Sequence, residues 1–156
     1  MDSRTSRPSE NHSTRREFLM GMAVVPLLQG DPDTQTASSV CFMSAVEMSR
    51  QIRAKKLSAR EVLAAHLKQI ERVNPKVNAI VTLVAEMAAA AAAKADEMQA
   101  HRETLGPLHG LPVAHKDLLE TSGIRTTFGS ALYKDYIPSE DDLVVERMRR
   151  AGAIIV

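Results

Sequence analysis

Apolar and polar positions change period several times along this chain, and each change marks an element. Val62, Leu63, His66, Leu67 and Ile70 recur at helical spacing and form one stripe. Ser58 with Glu61 reads as a capping box that opens this helix, and Ser44 with Glu47 opens a shorter one before it. Asn74-Pro75 is expected to end the longer helix, because the residue before a proline avoids helical backbone. Residues 77–84 are rich in β-branched side chains and are expected to be extended. Residues 86–101 carry a run of alanines with Lys94, Asp96 and Glu97, which predicts a helix packed closely through small side chains. Leu111-Pro112-Val113-Ala114 then follows a Gly-rich turn as a short apolar run, the mark of a strand entering a core. Ser139 with Asp142 predicts a last helix, with Leu143, Val144, Arg147, Met148 and Ala151 along one side and Gly152 closing it. Ile154-Ile155-Val156 reads as the beginning of the next core strand. Helices alternating with short apolar strands define an α/β class in which helices cover a sheet.

The first forty residues lack this periodicity. Residues 1–13 are polar and rich in Ser and Arg, which predicts disorder. Thr14-Arg15-Arg16-Glu17-Phe18-Leu19-Met20 resembles the twin-arginine export motif, and the apolar stretch 20–28 after it has the length of a signal-peptide core and is too short to span a bilayer. A Gly, Pro, Asp, Thr and Ser linker covers residues 30–40, so the folded part is expected to begin near Ser44. The chain therefore divides into an N-terminal region, 1–40, and a folded region, 44–156.

Composition narrows the function classes. A chain of 156 residues with 44% hydrophobic content can bury one ordinary core. A net charge of +1 and only 3% aromatic residues give no support to nucleic-acid binding. Cys41 is the one cysteine, with no His or Cys beside it at metal-ligand spacing, and is expected to be a free thiol. His66, on an apolar stripe, is expected to be a packed side chain rather than a ligand.

Lys116 is the candidate for chemistry. Alternation along the strand puts Leu111, Val113 and His115 on one face and Pro112, Ala114 and Lys116 on the other. If both faces are covered, Lys116 is held against protein. A desolvated lysine favours its neutral amine, and a neutral amine within reach of a hydroxyl can act as a base. Asp117 points to the opposite face from Lys116, so it is expected to cap amides of the following turn rather than pair with the lysine.

The stretch Gly106-Pro107-Leu108-His109-Gly110-Leu111-Pro112-Val113-Ala114-His115-Lys116-Asp117, then Gly123 and Thr126-Thr127-Phe128-Gly129-Ser130, resembles the amidase signature family of serine hydrolases. The likeness continues through residues 141–147 and 151–156, and reaches back to residues 78–82 and the helix start at residues 58–61. It implies an amidase signature α/β/α fold with a mixed sheet covered by helices, of which this chain is the N-terminal portion. It also implies a Ser, cis-Ser, Lys triad in which Lys116 is the base and proton shuttle. The two serines of that triad come from a downstream Gly/Ser-rich segment, which also supplies the oxyanion hole, and no position of this chain matches them. The chain by itself is therefore expected to be inactive. Ser130 is expected to be a turn or cap residue, and His109 and His115 have no base role in the family.

The implied activity is cleavage of the C–N bond of a linear carboxylic amide, with no metal or organic cofactor. The expected partner is a small-molecule amide substrate; no nucleic acid and no stable membrane anchor are expected, and a homo-oligomer is left open. The export motif implies a periplasmic or extracellular place for such a hydrolase. Two alternatives remain. One is the A subunit of a tRNA-dependent Glu/Asp amidotransferase, which works with partner subunits in the cytoplasm; the other is a non-catalytic binding or structural fragment.

Overall fold

The computed structural model describes residues 39–156. The expectations for residues 1–38, including the twin-arginine motif and the apolar stretch, lie outside the described residues. Packing begins before Ser44, because Val40 is buried against Met48, Ile52 and Leu111.

Helix α1 (Ala45–Arg53) is capped by Ser44, whose Oγ accepts from the Glu47 N–H at 3.2 Å. Only half of the expected box forms, since the Glu47 carboxylate is taken by Arg50 at 2.5 Å and Gln51 at 2.6 Å along the helix. Helix α2 (Ala59–Val77) has the full box: the Glu61 N–H donates to Ser58 Oγ and the Ser58 N–H to Glu61 Oε2. The Ser58 backbone amide and hydroxyl hold the Glu61 carboxyl below its ordinary range. This helix does not stop at Asn74-Pro75 as expected. It runs through Pro75 to a left-handed cap at Asn78, φ 48°, whose N–H reaches Asn74 O at 2.7 Å. The proline falls in the exposed last turn, where one missing donor costs little. Asn74 also ties residue 80, accepting from the Ile80 N–H and donating to its carbonyl, both at 2.9 Å. Those bonds hold residues 78–82 as irregular chain rather than the expected strand.

Helix α3 (Ala85–Ala100) packs as its composition predicts, with Ala88, Ala92 and Ala95 buried against Ala59 and Leu63 of α2. Its Asp96 caps α2 from outside, accepting from the Ala59 N–H at 2.7 Å and pairing with Arg60 at 2.8 Å. Buried Gln99 donates to the Ile52 carbonyl at 2.6 Å and so ties α3 to α1.

Strands β1 (Pro112–Val113) and β2 (Ile154–Ile155) pair in parallel, Pro112 opposite Ile154 and Val113 opposite Ile155. Helix α4 (Leu143–Arg150) lies between them in sequence. Its N-cap is Asp142, not Ser139, and its buried residue is Val145, whereas Leu143 and Val144 are 60% and 45% exposed. Packing thus turns the Val145 side of the helix inward and leaves the expected Leu143 and Val144 stripe toward solvent. The C-terminus is a Schellman turn: Gly152 N–H reaches Arg149 O and Ala153 N–H reaches Met148 O. Gly152 is irreplaceable on two counts, φ of 92° and a position where a Cβ would stand 2.8 Å from His109 Cα. A Cβ at Gly106 would likewise clash with the Ala151 carbonyl, and these two close approaches set the chain entering β1 against the chain entering β2. Helices α2 and α3 cover the pair, α2 against β1 and α3 against β2, giving an α/β unit.

Candidate functional site

Both strands end at one cavity of about 510 Å³. It opens at their carboxyl ends, where α/β proteins with parallel strands commonly bind ligands. Its walls are the chain leaving β1 (residues 114–119), the irregular segment 78–82, the loop 121–129, and Ile155 with Val156.

Lys116 lines this cavity. Strand β1 ends at Val113, and past it the chain turns as the Leu119 N–H reaches back onto the Lys116 carbonyl at 3.0 Å. The alternation read from sequence holds only in part: Leu111 is buried and Ala114 and Lys116 are exposed, but Pro112 and Val113 are equally half-buried, and past the end of β1 His115 lines the same cavity as Lys116. Lys116 is not held against protein among the described residues. Only the Leu111 face of β1 is covered, by the core cluster that includes Ile52 and Val62. The lysine side chain instead stands open to the cavity.

Asp117 forms no ion pair with Lys116 among the described residues. It caps an amide, though one ten residues away rather than in the adjacent turn: Oδ1 accepts from the Thr127 N–H at 2.7 Å and Oδ2 from the Thr127 hydroxyl. Burial pushes the Asp117 carboxyl up, but the Thr127 hydroxyl and amide, the Gly129 amide and the Arg125 charge outweigh it and hold the group below its ordinary value. The residue after the lysine thus pegs the Thr126–Ser130 loop in place. Thr126 and Gly129 line the cavity. Ser130 is a cap, as expected: its Oγ accepts from the Leu132 N–H at the start of the short 3-10 helix Ala131–Tyr133.

The two histidines separate. His109 is buried where Gly152 presses on it, and burial, then the Arg53 charge, lower its basicity. His115 lines the cavity, and burial followed by the Arg149 charge lowers its basicity, with Asp141 opposing. Away from the cavity, His66 Nδ1 sits 2.8 Å from the Val62 carbonyl, a packed side chain as expected. The Cys41 thiol is free, bonded at 3.3 Å to the Ala65 carbonyl, and burial raises its pKa.

Two wall residues were not singled out from sequence. Arg125 donates to the Val81 carbonyl at 3.0 Å and the Thr82 hydroxyl at 3.1 Å, stitching the segment 78–82 to the loop. Phe128 packs its ring on Tyr133 and Tyr136, with centroids 5.2 and 6.2 Å away. The second of these had a sequence signal, the variable position of the Thr-Thr-x-Gly-Ser motif.

Fold and site together define an α/β unit that presents one lysine at the carboxyl end of a parallel strand, beside a loop pegged by the next residue. Residues 61–156 match the family model described as Amidase, and the chain belongs to that family. It is 45% identical over 113 residues to the A subunit of the glutamyl-tRNA(Gln) amidotransferase of Carboxydothermus hydrogenoformans, covering 72% of this chain and 23% of that one. It is 36% identical to an acylamidase of Rhodococcus erythropolis, covering 78% of this chain and 25% of the relative. Among solved structures, a bacterial aryl acylamidase of the amidase signature family superposes with a TM-score of 0.69 at 25% identity, over 74% of this chain and 24% of that one. The chain thus spans about a quarter of the length of the curated relatives it matches.

Proposed function

We propose that this chain supplies the lysine-bearing wall of an amide-cleaving site, with Lys116 as base and proton shuttle. The observation that carries the reading is the placement of Lys116, open to the cavity at the carboxyl end of β1. In the mechanism that the family resemblance implies, a serine hydroxyl gives its proton through a bridging serine to the lysine amine as its oxygen attacks the amide carbonyl. The same proton then goes to the departing nitrogen as the C–N bond breaks. Water repeats the sequence on the acyl-serine.

Two substrate classes fit this chemistry. The names carried by several relatives support the A subunit of an amidotransferase, in which the amide cleaved is a source of ammonia and the product serves partner subunits. The acylamidase relative supports a free-standing hydrolase, exported if the twin-arginine-like motif at Arg15-Arg16 functions. A reporter fused after Ser39 separates them: loss from the cytoplasm that disappears when both arginines become lysine supports the exported hydrolase, and retention supports the amidotransferase.

The catalytic role is tested in the protein as its gene encodes it. Lys116→Ala removes the proton acceptor, and Lys116→Arg keeps the charge but cannot give up its proton at usable pH. Both variants are expected to lose most amide turnover while circular dichroism shows an intact fold. Near wild-type activity of folded Lys116→Arg across neutral pH would overturn the role. Turnover in neither variant nor wild type would favour the non-catalytic fragment.

A further inference from the structure

We propose that Phe128 is the specificity-determining residue of the cavity, forming an apolar contact that favours amides with an aryl or long alkyl substituent over small polar amides. The inference rests on the amide-cleaving reading and deepens it by naming a substrate class. Three observations place the ring. Phe128 lines the same cavity as Lys116. It also follows Thr127, the residue that Asp117 grips by both backbone and hydroxyl, so a single clamp fixes the ring's position relative to the lysine before that aspartate. Finally the ring is backed by Tyr133 and Tyr136, and the Tyr136 hydroxyl donates to Glu120 at 2.8 Å, so the aromatic wall is braced from behind.

The backbone supports a functional reason for an aromatic residue here. The Ser130 N–H closes a turn on the Thr127 carbonyl at 2.9 Å, and both central residues have positive φ, 55° at Phe128 and 68° at Gly129. Turns of that kind favour Asn or Gly at the first central position and disfavour a bulky side chain there. A strained aromatic that projects onto a cavity beside a candidate base points to the ligand as the source of its selection. Apolar neighbours continue the wall, Leu118 and Ile124 among them. An aryl ring against Phe128 would gain offset or edge contact, whereas a short polar side chain such as that of glutamine would gain nothing from it.

The experiment measures selectivity and binding separately. For wild type, Phe128→Ala and Phe128→Leu, kcat/KM is compared between phenylacetamide and glutamine. In parallel, the affinity of Lys116→Ala protein for phenylacetamide is measured by calorimetry with and without the Phe128→Ala change. Loss of an apolar contact of this size is expected to lower the phenylacetamide-to-glutamine ratio about tenfold or more in the alanine variant, and less in the leucine variant. Affinity for phenylacetamide should fall by a similar factor. Amide turnover with an unchanged ratio and unchanged affinity would overturn the inference while leaving the amide-cleaving reading intact. Phe128-dependent affinity without turnover would support the inference and remove the reading. Equal loss for both substrates in both variants would show a purely structural ring and would also overturn the proposal.

Discussion

Replacing Asp117 should loosen the cavity's loop more than any other single polar change near it. The carboxylate accepts the Thr127 N–H at 2.7 Å and the Thr127 hydroxyl, and that hydroxyl in turn accepts the Gly129 N–H at 3.2 Å. Hydrogen bonds to a charged acceptor contribute roughly 1.5–3 kcal/mol each, and the half-buried position places these toward the lower end. Asp117→Ala should therefore destabilise the protein by about 2–3 kcal/mol, the two bonds sharing one carboxylate and not adding fully. Asp117→Asn keeps an acceptor for the amide but loses the charge, and should cost roughly half as much.

The magnitude is read by urea unfolding of the purified protein, and the pairing by a double-mutant cycle with Thr127→Val. If the clamp is as described, the double variant is less destabilised than the sum of the singles, by about 1 kcal/mol. The pH dependence has a fixed sign. The folded carboxyl titrates below its unfolded value, so the folded state binds fewer protons in the acid range. The contribution is fully present above the ordinary carboxylate value, about 4, and is lost as pH falls further through the lowered value. The gap between wild type and Asp117→Asn should therefore close on acidification. A destabilisation under about 0.5 kcal/mol with no coupling to Thr127 would refute the clamp, being no more than an ordinary surface change produces.

Other changes test the frame around the site. Asp96→Ala removes an external cap of α2 and its pair with Arg60, and should cost about 1–2 kcal/mol in urea unfolding. Gly152→Ala meets both a positive φ and the His109 backbone; it should cost about 2 kcal/mol or more, or abolish soluble expression. Lys55, φ 56°, closes the end of α1 in the left-handed region, so Lys55→Gly should stabilise by up to about 1 kcal/mol, seen as a higher Tm.

What the sequence conveyed and what it withheld divide along physical lines. Local signals were legible: the Ser58 box, the apolar stripe of α2, the alanine helix and the short runs that became β1 and β2 each depend on a few adjacent residues. Failures came where a distant partner decides. Asn74-Pro75 carries a stop signal, but the bonds from Asn74 to Ile80 and the exposure of that turn let the helix pass through it. Residues 78–82 include strand-forming side chains but have no strand beside them among the described residues, and Asn74 and Arg125 take their polar groups instead. The start of α4 shifted from Ser139 to Asp142 because the Asp142 N–H and carboxylate engage Glu120 across the loop. At the site, alternation set Leu111 inward and Lys116 outward but wrongly parted His115 from the lysine, because the strand ends at Val113; whether a face is covered depends on packing that no local pattern contains.

Four acidic residues of the chain between β1 and α4 are engaged away from Lys116. Asp117 is engaged by Thr127, Asp141 by the Ser122 N–H and Arg149, Asp142 by the Glu120 N–H, and Glu120 by the Tyr136 hydroxyl. Each of these four carboxylates is thus used to peg the loop to its neighbours. A carboxylate left free beside a lysine pairs with it and favours its charged form, which would oppose the role proposed for Lys116. Committing Asp117, Asp141 and Asp142 to backbone amides, Asp141 also to Arg149, and Glu120 to the Tyr136 hydroxyl fixes the chain beside the cavity and, by the same bonds, withholds these acids from Lys116. The geometry that orders the loop and the geometry that leaves Lys116 open to the cavity are therefore one arrangement, which is why substitutions at Asp117 should disturb both the stability of the loop and the chemistry proposed at its neighbour.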